Sequence, residues 1–385
     1  MRLRLLAIST GALALLALAP RPAAAYPQWQ LSTGVSRCNV CHFAPAGGGL
    51  PTGYGRDASG DELSTFPGEG AFLYGAVTLP SWLALGGDLR GAYAAQDVSD
   101  PGGATQAVFP MQADLEAHAT LPGGFSLYAT GGLRGQVRAN EDLVPNQNYH
   151  PISTSRLISR EHWVMWQHPD RAYYLRAGRF FAPFGLRLAE HLTYVRRDLG
   201  FNQLEESYNL SGGYVSDEWE AHVTAFAPDF VRHIGSDEAG AAAYYEGRVL
   251  RGKGAFGGQL RFSRGQSISR LTTGLTGKYY LEPLRTLFLG EANIVQLMPD
   301  DIDGGQQLVG AAGASVLPSR GWLITLLLER SQQDLRVASS SWDALTALVS
   351  WFPVPHGEVQ VMGRLQLPEG GTVARTFFLQ LHFFL

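Results

Sequence analysis

From Trp82 to Leu385 the chain breaks into segments of about ten to fourteen residues in which apolar and polar side chains alternate, each segment ended by Pro, Gly, Asp or Asn. Phe125, Leu127 and Ala129 oppose Ser126, Tyr128 and Thr130, and Val359, Val361, Leu365 and Leu367 oppose Glu358, Gln360, Arg364 and Gln366. The last stretch sets Phe377, Leu379, Leu381, Phe383 and Leu385 against Gln380 and His382. Successive side chains of a strand point to opposite faces, so this period predicts strands with one apolar and one polar face. About sixteen are expected.

The connections carry a second period. Short turns fall at Leu121–Gly124, His168–Arg171, Ser216–Glu218, Glu282–Leu284, Leu317–Arg320 and Val354–Gly357. Longer polar loops lie between them, at Asp97–Pro110, Ala139–Ser155, Pro183–Ser207, Pro228–Ala239, Pro299–Gly305 and Gln333–Ser341. One connection, Arg264–Ser267, is shorter than its place requires and leaves the strand count open by two. A two-sheet sandwich of this length would show a domain break, and none follows Pro80. Alternating faces and alternating loop lengths instead predict an all-β fold, a closed antiparallel transmembrane β-barrel, because lipid tolerates no open sheet edge.

A barrel of this size has room for an aqueous lumen. The polar phase predicts its lining as Asp88, Arg90, Asp114, Glu116, His118, Arg134, Arg176, Glu220, His222, Glu246, Arg248, Arg261, Lys278, Glu291 and Arg364. Acids and bases are mixed, which reads as a solvated wall and not as a catalytic pair.

Ahead of the strands the chain changes character. Arg2 and Arg4 precede an apolar run from Leu5 to Ala19, and Ala23–Ala25 supply small residues, so residues 1–25 read as a signal peptide cleaved before Tyr26. Residues 26–80 have little periodicity and many glycines, and a segment so small needs something else to supply part of its core. A net charge of −4 gives no footprint for nucleic acid. The 46 glycines, 42 aromatic residues (19 Phe, 15 Tyr, 8 Trp) and 17% charged residues suit a β-rich chain with alternating faces.

Cys38-Asn39-Val40-Cys41-His42 holds both cysteines of the chain. Two thiols at this spacing can each take one vinyl group of a haem as a thioether, and the adjacent imidazole then reaches the iron. This predicts one haem c held by Cys38 and Cys41, with His42 as proximal iron ligand. A thioredoxin-like pair would open a helix after a strand, whereas this stretch reads as loop; zinc would want two more ligands close by in sequence. A disulfide or an unmodified pair remains open. No His or Met lies between His42 and the first strand, which leaves a vacant or water-bound distal site, an unusual ligand from the segment, or a barrel residue reaching in. The strand phase turns His118, His222, His382 and Met362 inward and puts Met111 at a strand start; His118 is the first candidate because its strand is near in sequence.

Tyr26-Pro27, Thr33-Gly34, the Cys38–His42 motif, Pro45, Leu50 and Tyr54-Gly55-Arg56, followed by the barrel pattern, resemble the fused single-haem cytochrome–porin proteins of the bacterial outer membrane. The resemblance spans the mature chain in architecture and about Tyr26–Arg56 in motif. It implies covalent haem at Cys38 and Cys41, iron ligation by His42, and extracellular electron transfer of the kind that includes ferrous iron oxidation. Gly47–Gly49 and Leu50–Gly53 stand where iron-oxidising members have a tighter Leu-Asn pair. Gly178–Gly185 also resembles a segment of phosphate-selective porins; its plain reading is a strand end with aromatic girdle residues.

The expected function is thus electron relay at or across the outer membrane, with membrane lipid, a periplasmic carrier cytochrome and an extracellular donor or acceptor as partners. The alternative is a passive diffusion porin whose haem segment is a structural or regulatory plug. A peroxidase-like enzyme is a third class, for which no distal acid and base can be named.

Overall fold

The computed structural model describes residues 27–98, 105–134, 157–202, 204–231 and 237–385. The signal peptide reading, the stretch 139–155 and the side chain of Arg134 lie outside the described residues.

The strands are β1 (Leu83–Val98), β2 (Thr105–Thr120), β3 (Phe125–Arg134), β4 (Leu157–Ile158), β5 (His162–Gln167), β6 (Tyr173–Phe180), β7 (Ser207–Val215), β8 (Trp219–Ala227) and β9 (Ala239–Val249). They continue as β10 (Gly254–Arg264), β11 (Ile268–Leu281), β12 (Thr286–Pro299), β13 (Gly305–Val316), β14 (Trp322–Gln332), β15 (Ser341–Trp351), β16 (Gly357–Pro368) and β17 (Ala374–Phe384). Each pairs antiparallel with its neighbours, and β1 pairs with both β2 and β17, which closes the cylinder. Both β4 and β5 pair with β3, so they are one stave broken at 159–161, and the 17 segments make 16 staves. The short 265–267 connection sits at the long-loop end without costing a strand.

The alternation follows the expected phase. Ser126, Tyr128 and Thr130 are buried and Phe125, Leu127 and Ala129 exposed; Glu358, Met362 and Arg364 are buried while Val361, Leu365 and Leu367 are exposed. The outer face is a band of exposed Leu, Val, Phe and Ile. The inner face departs from the expected solvated wall. Glu220 and Glu246 are 0% exposed, His222 1% and Arg364 3%, because protein fills the lumen against them.

Two bodies do the filling. Residues 27–80 form α1 (Pro27–Gln30), α2 (Cys38–Cys41), α3 (Gly53–Ala58), a π turn (Ser59–Leu63) and a 3₁₀ turn (Phe72–Gly75). Their hydrogen bonds reach the short-turn end of the barrel: Thr65 and Phe66 N–H donate to the carbonyls of Phe352 and Pro353, Asn39 to Arg171, and Ser36 to Asp217. The plug borrows its core from the wall, as a segment this short requires: Trp29 and Leu63 pack with Leu317, Leu323 and Phe352, and Leu50 with Tyr128, Trp163 and Phe180. Burying Leu50 stabilises by about 2 kcal/mol.

The second body is the 181–206 connection, read from sequence as a polar surface loop. It folds inward, with the short helix α4 (Tyr194–Arg197), because Phe184, Leu186, Leu188, Tyr194, Val195 and Leu199 find an apolar patch of Ala242, Leu287, Leu289, Val309 and Leu327 on the inner wall. The wall also supplies acceptors for its backbone. Leu186 N–H donates to Glu291 at 2.8 Å and Tyr194 N–H to Glu329 at 2.6 Å.

Candidate functional site

The Cys38–His42 motif is a single helical turn in place of the expected loop, closed by the His42 N–H to Cys38 carbonyl bond at 3.0 Å. Residues three and four apart share a helical face, so this turn gathers Cys38, Cys41 and His42 on one side. Cys41 is buried and Cys38 half-buried. Burial pushes the Cys38 thiol up from its ordinary pKa, and Arg187 pulls it partly back.

The turn is held from both sides. Thr52 N–H donates to the Cys41 carbonyl at 2.9 Å and Thr52 Oγ1 to the Val40 carbonyl at 2.6 Å, so α3 sits directly on the motif. Gly55 is needed there: a Cβ would stand 2.3 Å from the Cys41 oxygen. On the other side the 43–50 loop folds back with Gly47, Gly48 and Gly49 all at positive φ, and His42 pairs with Pro51 as an isolated bridge. This fold-back brings the Gly49 carbonyl to 3.2 Å from His42 Nδ1. A carbonyl only accepts, so Nδ1 carries the proton and Nε2 keeps the lone pair, which is the tautomer that a metal-ligating imidazole uses.

The wall opposite the 43–50 loop comes from β2, β3 and β5. His118 is buried and stacks on Phe43 with ring centroids 3.7 Å apart and planes 16° apart; Trp163 lies 5.9 Å away and Tyr128 stacks on Trp163 at 5.0 Å. The other candidates also face inward but serve elsewhere. His222 Nδ1 bonds the Tyr174 hydroxyl at 2.8 Å, with Nε2 3.5 Å from Glu220, and His382 lies between Glu358 at 2.9 Å and Asp88 at 3.3 Å. Met362 is buried on β16 and Met111 is half-buried on β2.

Below Cys38 the wall carries a network of charges. Arg248 pairs with Glu220 at 2.6 Å, Lys278 with Glu246 at 2.7 Å, and each also grips the plug, at the Ser36 carbonyl (3.0 Å) and Gln30 Oε1 (2.8 Å). Buried ions need such partners, since an unmatched one costs several kcal/mol. Arg187, from the inward loop, joins Glu220 at 3.0 Å to the Ala46 carbonyl at 2.9 Å. Sequence reasoning missed Arg187, the Gly49 acceptor and the inward loop; the signal for the last was the run of apolar residues from Phe184 to Leu199 inside a supposed polar loop.

A comparison with protein-family models finds no match, and neither does one with curated protein sequences. Solved structures do match in shape. OprB of Pseudomonas putida aligns with TM-score 0.60 at 11% identity over 79% of this chain and 94% of that one. OmpT of Vibrio cholerae gives 0.59 at 10% identity over 80% and 100%, and an anion-selective porin from Comamonas acidovorans 0.55 at 10% over 79% and 99%. The fold is that of outer-membrane porins. Within this porin fold, Phe180 and Phe184 of the Gly178–Gly185 segment are buried inside, at 1% and 3% exposure, and do not form the outer girdle expected of them.

Proposed function

We propose that this chain is an outer-membrane cytochrome–porin that relays single electrons through one haem c seated in the short-turn mouth of the barrel. The observation that carries the reading is the pairing of His42 Nδ1 with the Gly49 carbonyl beside the side chains of Cys38 and Cys41, a donor set that fits c-type attachment. Cys38 and Cys41 would hold the porphyrin as thioethers and His42 Nε2 the iron. Bound there, haem supplies a one-electron ferric–ferrous couple.

The protein's own part is to orient and insulate. The Gly49 acceptor raises the basicity of His42 and fixes its ring. The plug and the inward loop keep bulk water from the inner wall, and solvent exposure is one determinant of a haem's potential. The exposed apolar band of the barrel supports insertion in the lipid of the bacterial outer membrane.

A seat near one mouth limits what one haem can do. The bilayer with its interfaces spans about 40 Å, so exchange takes place with a carrier at the short-turn, periplasmic side, such as a small cytochrome, and the far side needs a further donor or acceptor. The shared fold also favours a second reading, a diffusion porin whose haem plug is regulatory. The test is a visible spectrum and intact mass of the purified protein with Cys38→Ala and His42→Ala beside it, together with conductance in planar bilayers. Covalent haem that an impermeant reagent oxidises or reduces in intact cells supports the relay. A colourless product ends it, and ion flow without redox exchange favours the second reading.

A further inference from the structure

Among the described residues, buried cations of the inner wall are held in ion pairs, and Arg176 is not. Arg160 pairs with Asp114 at 2.7 Å, Arg179 with Glu206 at 3.2 Å, Arg248 with Glu220 at 2.6 Å and Arg261 with Glu238 at 3.1 Å. Arg176 on β6 is 3% exposed and forms no ion pair; its guanidinium packs on aromatic rings, 3.6 Å from the Phe180 centroid and 5.6 Å from that of Trp163, and the Glu161 carboxylate acts on it only from beyond ion-pair distance. Its buried Nε has no hydrogen-bond partner. Ring faces return only part of what burying a cation without an ion pair costs.

The place of this cation says which anion would match it. Phe180 and Trp163 belong to the cluster that receives Leu50 and Phe43 of the plug. Phe43 follows His42, and Leu50 follows the glycine that holds the His42 ring. Arg176 therefore lies in the layer of wall that backs the attachment loop, and a haem brings two propionate carboxylates of its own. We propose that Arg176 is the binding site for a haem carboxylate, held by the guanidinium fork in the bidentate manner that such pairs prefer. This rests on the haem reading above. A free carboxylate or inorganic anion in the lumen would satisfy the same chemistry.

The experiment compares Arg176→Met and Arg176→Lys in two full-length backgrounds, the haem-loaded protein and a haem-free Cys38→Ala/Cys41→Ala chain, by denaturant midpoint. The loaded protein is also followed by potentiometric titration against pH. Arg176→Met is expected to lower the midpoint of the loaded protein and to leave unchanged or raise that of the haem-free one, since it removes an ion-paired cation in the first case and a buried cation without an ion pair in the second. The loaded variant should have a lower reduction potential with an altered pH dependence, and Arg176→Lys should fall between. Equal shifts in both backgrounds with an unchanged potential overturn the proposal. A haem-free midpoint that follows acetate or phosphate concentration through Arg176 assigns the site to a free anion and also overturns it. If the wild-type chain itself carries no covalent haem mass, the haem reading has failed.

Discussion

Arg187 Nη1 donates to the carbonyl of Ala46 across 2.9 Å, and through this bond the inward loop touches the loop that carries Gly47 and Gly49. Arg187 sits at a positive φ of 57°, an uncommon conformation for a non-glycine residue. The same side chain bonds Glu220 at 3.0 Å and lies 5.1 Å from the Tyr244 ring centroid, so the wall fixes it before it reaches the plug. A loop that leaves the barrel at the long-loop end thus helps to set the shape of the 43–50 loop of the plug at the other.

Arg187→Ala should therefore loosen the plug more than the barrel. Hydrogen bonds to a charged group are each worth about 1.5–3 kcal/mol, while Glu220 keeps Arg248 as partner. Limited proteolysis should cut residues 43–50 faster in the variant, with heat-modifiable migration of the barrel retained. Unchanged protection of the plug would show that the bond contributes nothing.

The two glycines of α3 should behave differently. A methyl at Gly53 meets nothing within 4 Å, whereas one at Gly55 would be driven into the Cys41 carbonyl. Gly53→Ala is expected to leave haem content at the wild-type level. Gly55→Ala should cost about 1–3 kcal/mol of plug stability, as overpacking does, and lower the haem-to-protein ratio read from the spectrum. Equal haem content in both variants would remove α3 as a support of the motif.

The barrel was legible because its period is imposed twice, by alternating faces and by alternating connections, and both signals survive strand by strand. The motif was legible because three reactive residues sit within five positions. What the sequence hid depends on contacts between distant segments. The 181–206 connection has loop composition, and only a wall bearing Leu287, Val309 and Leu327 gives its apolar residues somewhere to go. Among the described side chains, the lumen lining was named in the right phase, but its burial follows from the plug and inward loop that cover it. The role of Gly49 turns on a chain reversal through three positive-φ glycines, which no local pattern announces.

Glu329 should hold the inward loop in place. It accepts the Tyr194 N–H at 2.6 Å and also pairs with Arg364. Glu329→Gln leaves Arg364 without its buried counter-ion, a loss of about 3–5 kcal/mol when such a pair is broken. Single-channel conductance in planar bilayers should rise or become noisy in the variant, as the loop leaves the wall. A record identical to wild type would mean that the apolar residues of the loop suffice to hold it.

For the proposed haem, His118 is the first wall histidine to test as distal ligand, and its stack with Phe43 gives the test a control. A ring pair of this kind contributes about 1 kcal/mol, so the structural cost of losing it is small beside the loss of an iron ligand. His118→Ala should convert a six-coordinate low-spin ferric spectrum to a high-spin one, with thioether attachment at Cys38 and Cys41 unaffected in the intact mass. Phe43→Leu removes the stack while sparing the imidazole, and should leave the spin state as it was. A low-spin spectrum in His118→Ala strikes this residue from the candidates and turns attention to His222, whose Nε2 is 3.5 Å from Glu220 on the wall below Cys38.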